Sequence, residues 1–336
     1  MKILVVSERS CIRTLKQLLA LGAKHEVHLI TKRISGYPNV RTTTYYNGEV
    51  DSLANALLLY KDVDIVYAAS EPSWVLFEIK RVLSNKKVVL DIHDAQIWRS
   101  KEPELQSAEE RLAFNWADAL VVPSETCKEI LQREFLLSKQ PIVVLPPYVN
   151  EHFYDNIAWV RKGGIVYQGR IDIPSSPDFM NYTKMDKLAK ELNKNGIPFH
   201  IYCPLNDRNE ELKSIYEPIA IWHKGKSYEN LIKTLGFHDW GICGNLDQFR
   251  EWDLAMPNKL FEYMAGGIPI IALNAKESGN FIEKHGIGIS VKTIDEIKIR
   301  WDEREQCQRN VFLKRFDFTM EKHIHIVEDL LKNCLS

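Results

Sequence analysis

Short apolar runs alternate with helix-patterned segments along almost the whole chain, and no other feature constrains the fold as strongly. In the first half the runs are Ile3–Val6, Val27–Ile30, Ile65–Ala68, Val88–Asp91, Ala119–Val122 and Ile142–Leu145. Between them, Arg13–Leu21, Ser52–Tyr60, Trp74–Leu83 and Ala108–Trp116 carry apolar residues at helical spacing. Continuously apolar strands are buried on both faces, and parallel strands need helical crossovers that supply that cover. The pattern restarts after Pro146-Pro147, with strands expected at Gly164–Gln168, His200–Cys203, Ala220–Trp222, Trp240–Cys243, Ile268–Ala272 and Ile287–Val291. Helices are expected at Asp186–Asn195, Tyr228–Leu235, Asn258–Ala265 and Ser278–Lys284, and a last one over Met320–Leu335. The fold class is therefore α/β, two tandem Rossmann-like doubly wound domains. Their boundary is expected between about Val149 and Lys162, and 336 residues suit two domains. The division reads 1–155, 156–318 and a terminal helix over 319–336.

Composition narrows the function class. Lys and Arg nearly balance Asp and Glu for a net charge of −1, which argues against a strongly basic nucleic-acid binder. The six cysteines have no paired spacing and read as thiols of an intracellular protein rather than a disulfide or zinc framework. The chain enters directly into the strand Lys2–Val6 without a leader pattern. No apolar run approaches the length of a membrane span. The expected location is cytoplasmic, with peripheral attachment at the inner face of a membrane allowed by analogy.

In doubly wound sheets ligands sit beyond the C-terminal strand ends, and two tandem domains of this kind are expected to face each other across a cleft. Four such places carry candidate chemistry. The loop Ser7–Cys11 lacks the Gly-x-Gly-x-x-Gly fingerprint, so a dinucleotide is not expected there, and Ser10 suits a helix cap. Val89-Leu90-Asp91-Ile92-His93-Asp94 ends a buried strand in acid and imidazole. His93 there can donate a hydrogen bond to a sugar hydroxyl with Asp94 orienting it; a structural His beside a capping Asp fits equally well. Gly169 lets the chain turn after Ile165–Gln168, and Arg170 next to it has a planar fork suited to pyrophosphate, although a surface Arg after a turn has the same pattern. Lastly, Pro257–Ala265 reads as a short helix with Pro257 in its first position, stopped by Gly266-Gly267 in a left-handed turn. Lys259, Glu262 and Tyr263 share one face of it, and Phe261 and Ala265 another. A cation at a helix start can hold a phosphate and a carboxylate one turn on can accept from sugar hydroxyls; Lys259 and Glu262 could also simply pair.

In order along the chain, Gly169-Arg170-Ile171-Asp172, Lys224-Gly225, Tyr228-Glu229, Asp239-Trp240-Gly241-Ile242 and Pro257-Asn258-Lys259-Leu260-Phe261-Glu262-Tyr263-Met264-Ala265-Gly266-Gly267-Ile268-Pro269 resemble the retaining glycosyltransferases of the GT-B fold. Asp91–Asp94, Ala117–Ser124 and Pro146–Asn150 fit the first domain of that family, of the family 4-like type. The resemblance implies a nucleotide-sugar donor, UDP-sugar favoured, held by the second domain, and an acceptor held mainly by the first. It assigns donor binding to Gly169, Arg170, Asn258, Lys259, Leu260 and Glu262, with Glu262 on the ribose. Catalysis falls to His93, Asp94, Arg170 and Lys259. It implies no metal and no cofactor beyond the donor, same-face attack, no protein nucleophile and a final helix crossing back to the first domain. Two departures stand out. Leu254 sits where many relatives carry a Glu, and Ser175-Ser176-Pro177 occupies the stretch where many carry a Lys after Gly-Arg, a role left to Lys259 or Lys184. The implied acceptor is a glycan, a lipid-linked precursor or a small molecule, with nucleic acid a minority option. A sugar-nucleotide epimerase of related fold and a non-catalytic nucleotide-sugar-binding subunit are the competing functions.

Overall fold

Every one of the apolar runs forms a strand. The computed structural model describes residues 1–8, 11–32, 38–69, 74–93, 95, 103–134, 140–154, 162–176, 182–204 and 208–336. Ser10 and Asp94 lie outside them, so the expected Ser10 cap and the expected place of Asp94 do too. Among the described residues the strands are β1 (Lys2–Ser7), β2 (Glu26–Thr31), β3 (Thr42–Tyr45), β4 (Ile65–Ala69), β5 (Lys87–Asp91), β6 (Ala119–Val122) and β7 (Ile142–Val144), then β8 (Ile165–Gln168), β9 (Phe199–Tyr202), β10 (Ile221–His223), β11 (Trp240–Gly244), β12 (Ile270–Leu273) and β13 (Gly288–Val291). They build two wholly parallel sheets in the orders β3-β2-β1-β4-β5-β6-β7 and β10-β9-β8-β11-β12-β13. Register is set by the central pairs, Ile3 against Ile65 in the first sheet and Val166 against Gly241 in the second.

The chain divides into two compact units, Met1–Asn150 with Met320–Ser336, and Glu151–Thr319. Central strands β1, β4, β8 and β12 are buried along nearly their whole length, as the two-sided cover of a parallel sheet requires. Helices follow the amphipathic rule. In Asp186–Lys194, Leu188, Ala189 and Leu192 face inward, Asp186 sits in the first turn and Lys194 in the last, each complementing the helix dipole. The tail is not one helix: it breaks at Ile324 into Met320–His323 and His325–Leu335. It is tied to the first unit by Met320 N–H on Val149 O (3.0 Å), Asn150 Nδ2 on Glu321 Oε1 (2.9 Å) and Glu328 beside Lys24 and His25 (both 3.1 Å).

One polar cluster of the second unit lies around its β9–β10 edge. His200 Nδ1 and His223 Nε2 share a hydrogen bond (2.9 Å), and Tyr202 stacks on His223 with ring centroids 4.3 Å apart. His238 Nδ1–H donates to Gly163 O (3.3 Å), leaving Nε2 to accept from the Tyr202 hydroxyl (3.3 Å). Burial lowers the pKa of all three to about 4, helped by His238 and Lys162 at His200, by His223 and Lys162 at His238, and by His200, Lys162 and Lys226 at His223. A folded pKa below the unfolded value of about 6.5 gives stability that is present above that value and lost as pH falls toward 4. Urea midpoints measured at pH 7, 6, 5 and 4.5 are expected to fall progressively, and His238→Phe to flatten the decline; equal midpoints at pH 7 and 5 would contradict this.

Candidate functional site

In the second sheet the strand order reverses between β8 and β11, the place where doubly wound sheets leave a crevice beyond the strand ends. β8 ends at Gln168, and Gly169 turns the chain with φ of +125°, a conformation side chains with a Cβ rarely adopt. The helix Asn258–Ala265 lies directly against β11. A Cβ on Gly241 would stand 2.2 Å from Tyr263 Cγ, so the Tyr263 ring rests on the bare backbone of that strand. The Tyr263 hydroxyl accepts from Gln168 N–H (3.2 Å) and donates to Ile242 O (3.1 Å), joining the helix to β8 and β11 at once. Gln168 Nε2 donates to the Glu262 carboxylate, which is buried. Leu260 through Ala265 are all buried, so this helix has no solvated polar face.

Lys259 occupies the first turn. Its ammonium stands 3.8 Å from the centroid of the Tyr167 ring and 5.1 Å from that of Trp252, a cation–π seat on two sides. Among the described residues it forms no hydrogen bond or ion pair, so the simple Lys259–Glu262 pairing does not occur. The residue is half-buried, but its ammonium is so closely ringed that burial draws its pKa down from 10.5 to about 8, against the pull of Cys243, Glu262 and Glu251. Burial pushes the neighbouring Cys243 thiol up to about 12 and keeps it neutral. A cation with no hydrogen-bonded or ion-paired carboxylate among the described residues, held by aromatic faces at a strand end, suits an anion.

The first unit has its own polar centre. Arg13 and Gln17, on the helix Ile12–Gly22, turn inward and close on Asp91 at the end of β5. Arg13 donates to both carboxylate oxygens (3.2 and 2.7 Å) and Gln17 Nε2 to one (2.7 Å). His93 Nε2 lies 2.7 Å from Asp91 Oδ2 and its Nδ1 3.3 Å from Cys11 Sγ. Burial alone would lower the His93 pKa; the Asp91 carboxylate and Cys11 outweigh it and raise it to about 10. Burial would raise Asp91, but Arg13 and His93 hold it well below the carboxylate range.

The structure brings Gly169, Lys259 and Glu262 together, and Asn258 begins the same helix. Leu260 is fully buried, and its N–H bonds to Pro257 O (3.2 Å), so what it offers is the packing that seats the helix. Pro257 is the N-cap rather than the first helical residue, and the left-handed position is Gly267 alone, at φ +76°, with Gly266 right-handed. Arg170 is exposed and hydrogen-bonds Asp172 (3.0 Å), so any anion it meets competes with that carboxylate. Lys184 donates to Ser176 O. Sequence reasoning passed over Tyr167, Trp252 and Glu251. The last lies one helical turn before Leu254 on Arg250–Leu254, a spacing that could have flagged it as a substitute for the absent acid. It also passed over Arg13 and Gln17, for which only their place among apolar helix residues gave a signal. Among the described residues no group of three His, Cys, Asp or Glu side chains is placed to hold a metal ion, and no helix is long and apolar enough to cross a membrane.

Residues 7–153 match the family model of Glycosyltransferase Family 4, and residues 178–321 that of the Glucosyltransferase 3-like, C-terminal domain. No curated protein matches the sequence. Among solved structures, a glycosyltransferase from Rickettsia africae ESF-5 is 14% identical with a TM-score of 0.69, covering 99% of this chain and 98% of its own. HepE from Anabaena, solved with UDP, is 11% identical with a TM-score of 0.72, covering 99% and 100%. An alpha-glucosyltransferase solved with UDP-glucose and DNA containing an abasic site is 12% identical with a TM-score of 0.65, covering 98% and 99%. At these identities the structures speak for the fold, and the two family models speak for the sequence. On both grounds the chain belongs with the glycosyltransferases of the GT-B fold.

Proposed function

We propose that this glycosyltransferase takes its sugar from a uridine-diphosphate sugar and passes it, with retention at the anomeric carbon and without a metal ion, to a hydroxyl of a glycan, lipid-linked or small-molecule acceptor. The observation that carries the reading is the Lys259 ammonium, without a hydrogen bond or ion pair among the described residues, beside Glu262 where β8 and β11 diverge. The uridine nucleotide is favoured because HepE was solved with UDP and with UDP-glucose and a further GT-B neighbour with UDP.

In this scheme Lys259 and Arg170 neutralise the diphosphate, with Gly169 leaving the backbone low enough for it to approach and the amide end of helix Asn258–Ala265 adding partial positive charge. Glu262, oriented by Gln168, accepts from the ribose hydroxyls. The acceptor oxygen attacks the anomeric carbon on the face from which the diphosphate leaves, and its proton passes to a departing phosphate oxygen. His93, held by Asp91, and Asp94 are assigned to the transferred sugar on the resemblance alone. Asp91 favours the charged form of His93.

UDP, GDP, ADP and CMP are to be compared as thermal stabilisers, with and without a chelator. UDP at a hundred times its Kd is expected to add about 2.7 kcal/mol, or roughly 5–10 °C in Tm, whether or not metal is present. Mass spectrometry of a donor panel then identifies the sugar. If no nucleotide stabilises the protein the reading fails; if stabilisation needs a divalent cation, its metal-free part fails.

A further inference from the structure

The reaction scheme leaves one chemically active group of the first unit unused. Cys11 is the N-cap of the helix Ile12–Gly22, with extended backbone at φ −87° and ψ 170°. Its Sγ lies 3.3 Å from His93 Nδ1 and 3.5 Å from Thr14 Oγ1. His93 Nε2 is in turn 2.7 Å from Asp91 Oδ2. Thiol, imidazole and carboxylate thus stand in line, the arrangement that activates a nucleophile through an oriented base. Among the described residues the charged groups around the thiol are few. Its own helix supplies Arg13, bonded to Asp91, and the end of β5 supplies His93 and Asp91; Tyr67 of β4 stands by Asp91 as a neutral phenol.

With the Asp91 carboxylate accepting a hydrogen bond from Nε2–H, a protonated His93 points its Nδ1–H at the sulfur. The positive end of a helix adds to that field. Burial alone would raise the Cys11 pKa, but His93 and Thr14 outweigh it and lower it to about 6. Exposure separates this thiol from its counterparts: Cys11 keeps part of its surface, whereas Cys127, Cys203, Cys243 and Cys307 are buried. Cys334 is likewise partly exposed, yet burial and Asp118 raise its pKa.

We infer that Cys11 is a modification site, a thiolate in ion pair with His93 that reacts with hydroperoxides and with soft carbon electrophiles. With hydrogen peroxide the sulfur attacks one oxygen, the O–O bond breaks and a sulfenic acid forms. The departing hydroxide takes the Nδ1 proton of His93 and leaves as water. Sulfur is oxidised by two electrons, the peroxide is reduced by two, and His93 ends neutral. A small thiol can then condense with the sulfenic acid, releasing water, and a second can restore Cys11 as the disulfide departs. This chemistry stands on the cluster itself. Only its consequence, that oxidation slows transfer by removing the charge on His93, rests on the role proposed for that residue.

The test uses the reduced full-length chain and iodoacetamide, with each cysteine followed by peptide mass spectrometry. Cys11 is expected to alkylate about tenfold faster than Cys334 at pH 7, and its rate to rise less than about twofold from pH 7 to 8.5. An ordinary thiol would gain about tenfold or more over that span, and such a rise, or labelling no faster than Cys334, overturns the inference. Peroxide followed by dimedone is expected to mark Cys11 and to mark no site in Cys11→Ser. His93→Gln is expected to slow alkylation of Cys11 at pH 7 about tenfold; an unchanged rate in the folded variant overturns the ion pair, and should that variant not fold, the wild-type pH profile still decides. Since every readout is chemical labelling, a failed donor assay leaves this result standing and a failed labelling leaves the donor assay standing.

Discussion

Lys259→Ala is expected to weaken UDP binding by about 30- to 1,000-fold, the range for deleting one partner of a desolvated charge pair worth roughly 2–4 kcal/mol. Transfer should fall at least as far, because the same charge meets the leaving diphosphate. The fold should survive, since the ammonium has no hydrogen bond to lose among the described residues. Lys259→Met separates the two roles of the site. It fills the same space without placing a charge between Tyr167 and Trp252, so the free protein should melt about 2–4 °C higher while UDP no longer stabilises it. The pH dependence has a definite sign. Protonated Lys259 is the binding form, and its pKa in the free protein is about 8, so UDP affinity is level below pH 8 and declines toward tenfold per pH unit above it. Calorimetric titrations from pH 6.5 to 9.5 measure this. A flat profile together with tight binding by Lys259→Ala would remove Lys259 from the site.

The second large effect belongs to the first unit. Arg13→Ala leaves the fully buried Asp91, among the described residues, with His93 and Gln17 and is expected to cost about 3–5 kcal/mol, the usual penalty for a buried ion left by its partner. For a unit of this size that lowers Tm by roughly 6–20 °C. Asp91→Asn is the informative companion. It keeps the shape but removes the charge that overcomes burial at His93, so His93 should be neutral at pH 7 in the variant and protonated in the parent. Carbon-13 chemical shifts of the labelled ring report this directly. The linkage has a sign here as well. His93 has a folded pKa of about 10 against about 6.5 unfolded, so its stabilising contribution is complete below pH 6.5 and lost as pH rises toward 10. Asp91→Asn should lose that alkaline decline, and a variant as sensitive between pH 7 and 10 as its parent would refute the assignment.

What could be read from the sequence follows from which residues carry a periodic signal. The apolar strands declared themselves because burial on both faces admits nothing but apolar side chains. β3 did not, because Thr42-Thr43-Thr44-Tyr45 is an edge strand with one neighbour and mostly polar residues. The helix Arg304–Lys314 was missed for a related reason: only Cys307 and Val311 are buried in it, too few to print a stripe. At the candidate site, Lys259 and Glu262 were legible through their spacing. Their surroundings were not, since Trp252 reaches Lys259 from a separate helix and Gln168 reaches Glu262 from a strand far earlier in the chain. Contacts of that kind are made by topology and leave no trace in local pattern. Arg13 and Gln17 show the limit most plainly: in a string they look like the wet side of a helix, and in the fold they are its buried centre.

The return of Met320–Ser336 to the first unit bears on how the molecule comes into being. The second unit is one uninterrupted stretch, whereas the first is assembled from two stretches separated by that whole unit. During synthesis Glu151–Thr319 can therefore close on itself while the first sheet still waits for the segment that brings Glu328 to Lys24 and His25. The loop to be closed is 169 residues long, and pairing across it is entropically slow. Until it happens, an apolar flank of the nascent first unit is open to solvent and to neighbouring chains. The earlier-made half of this protein is thus the later to finish.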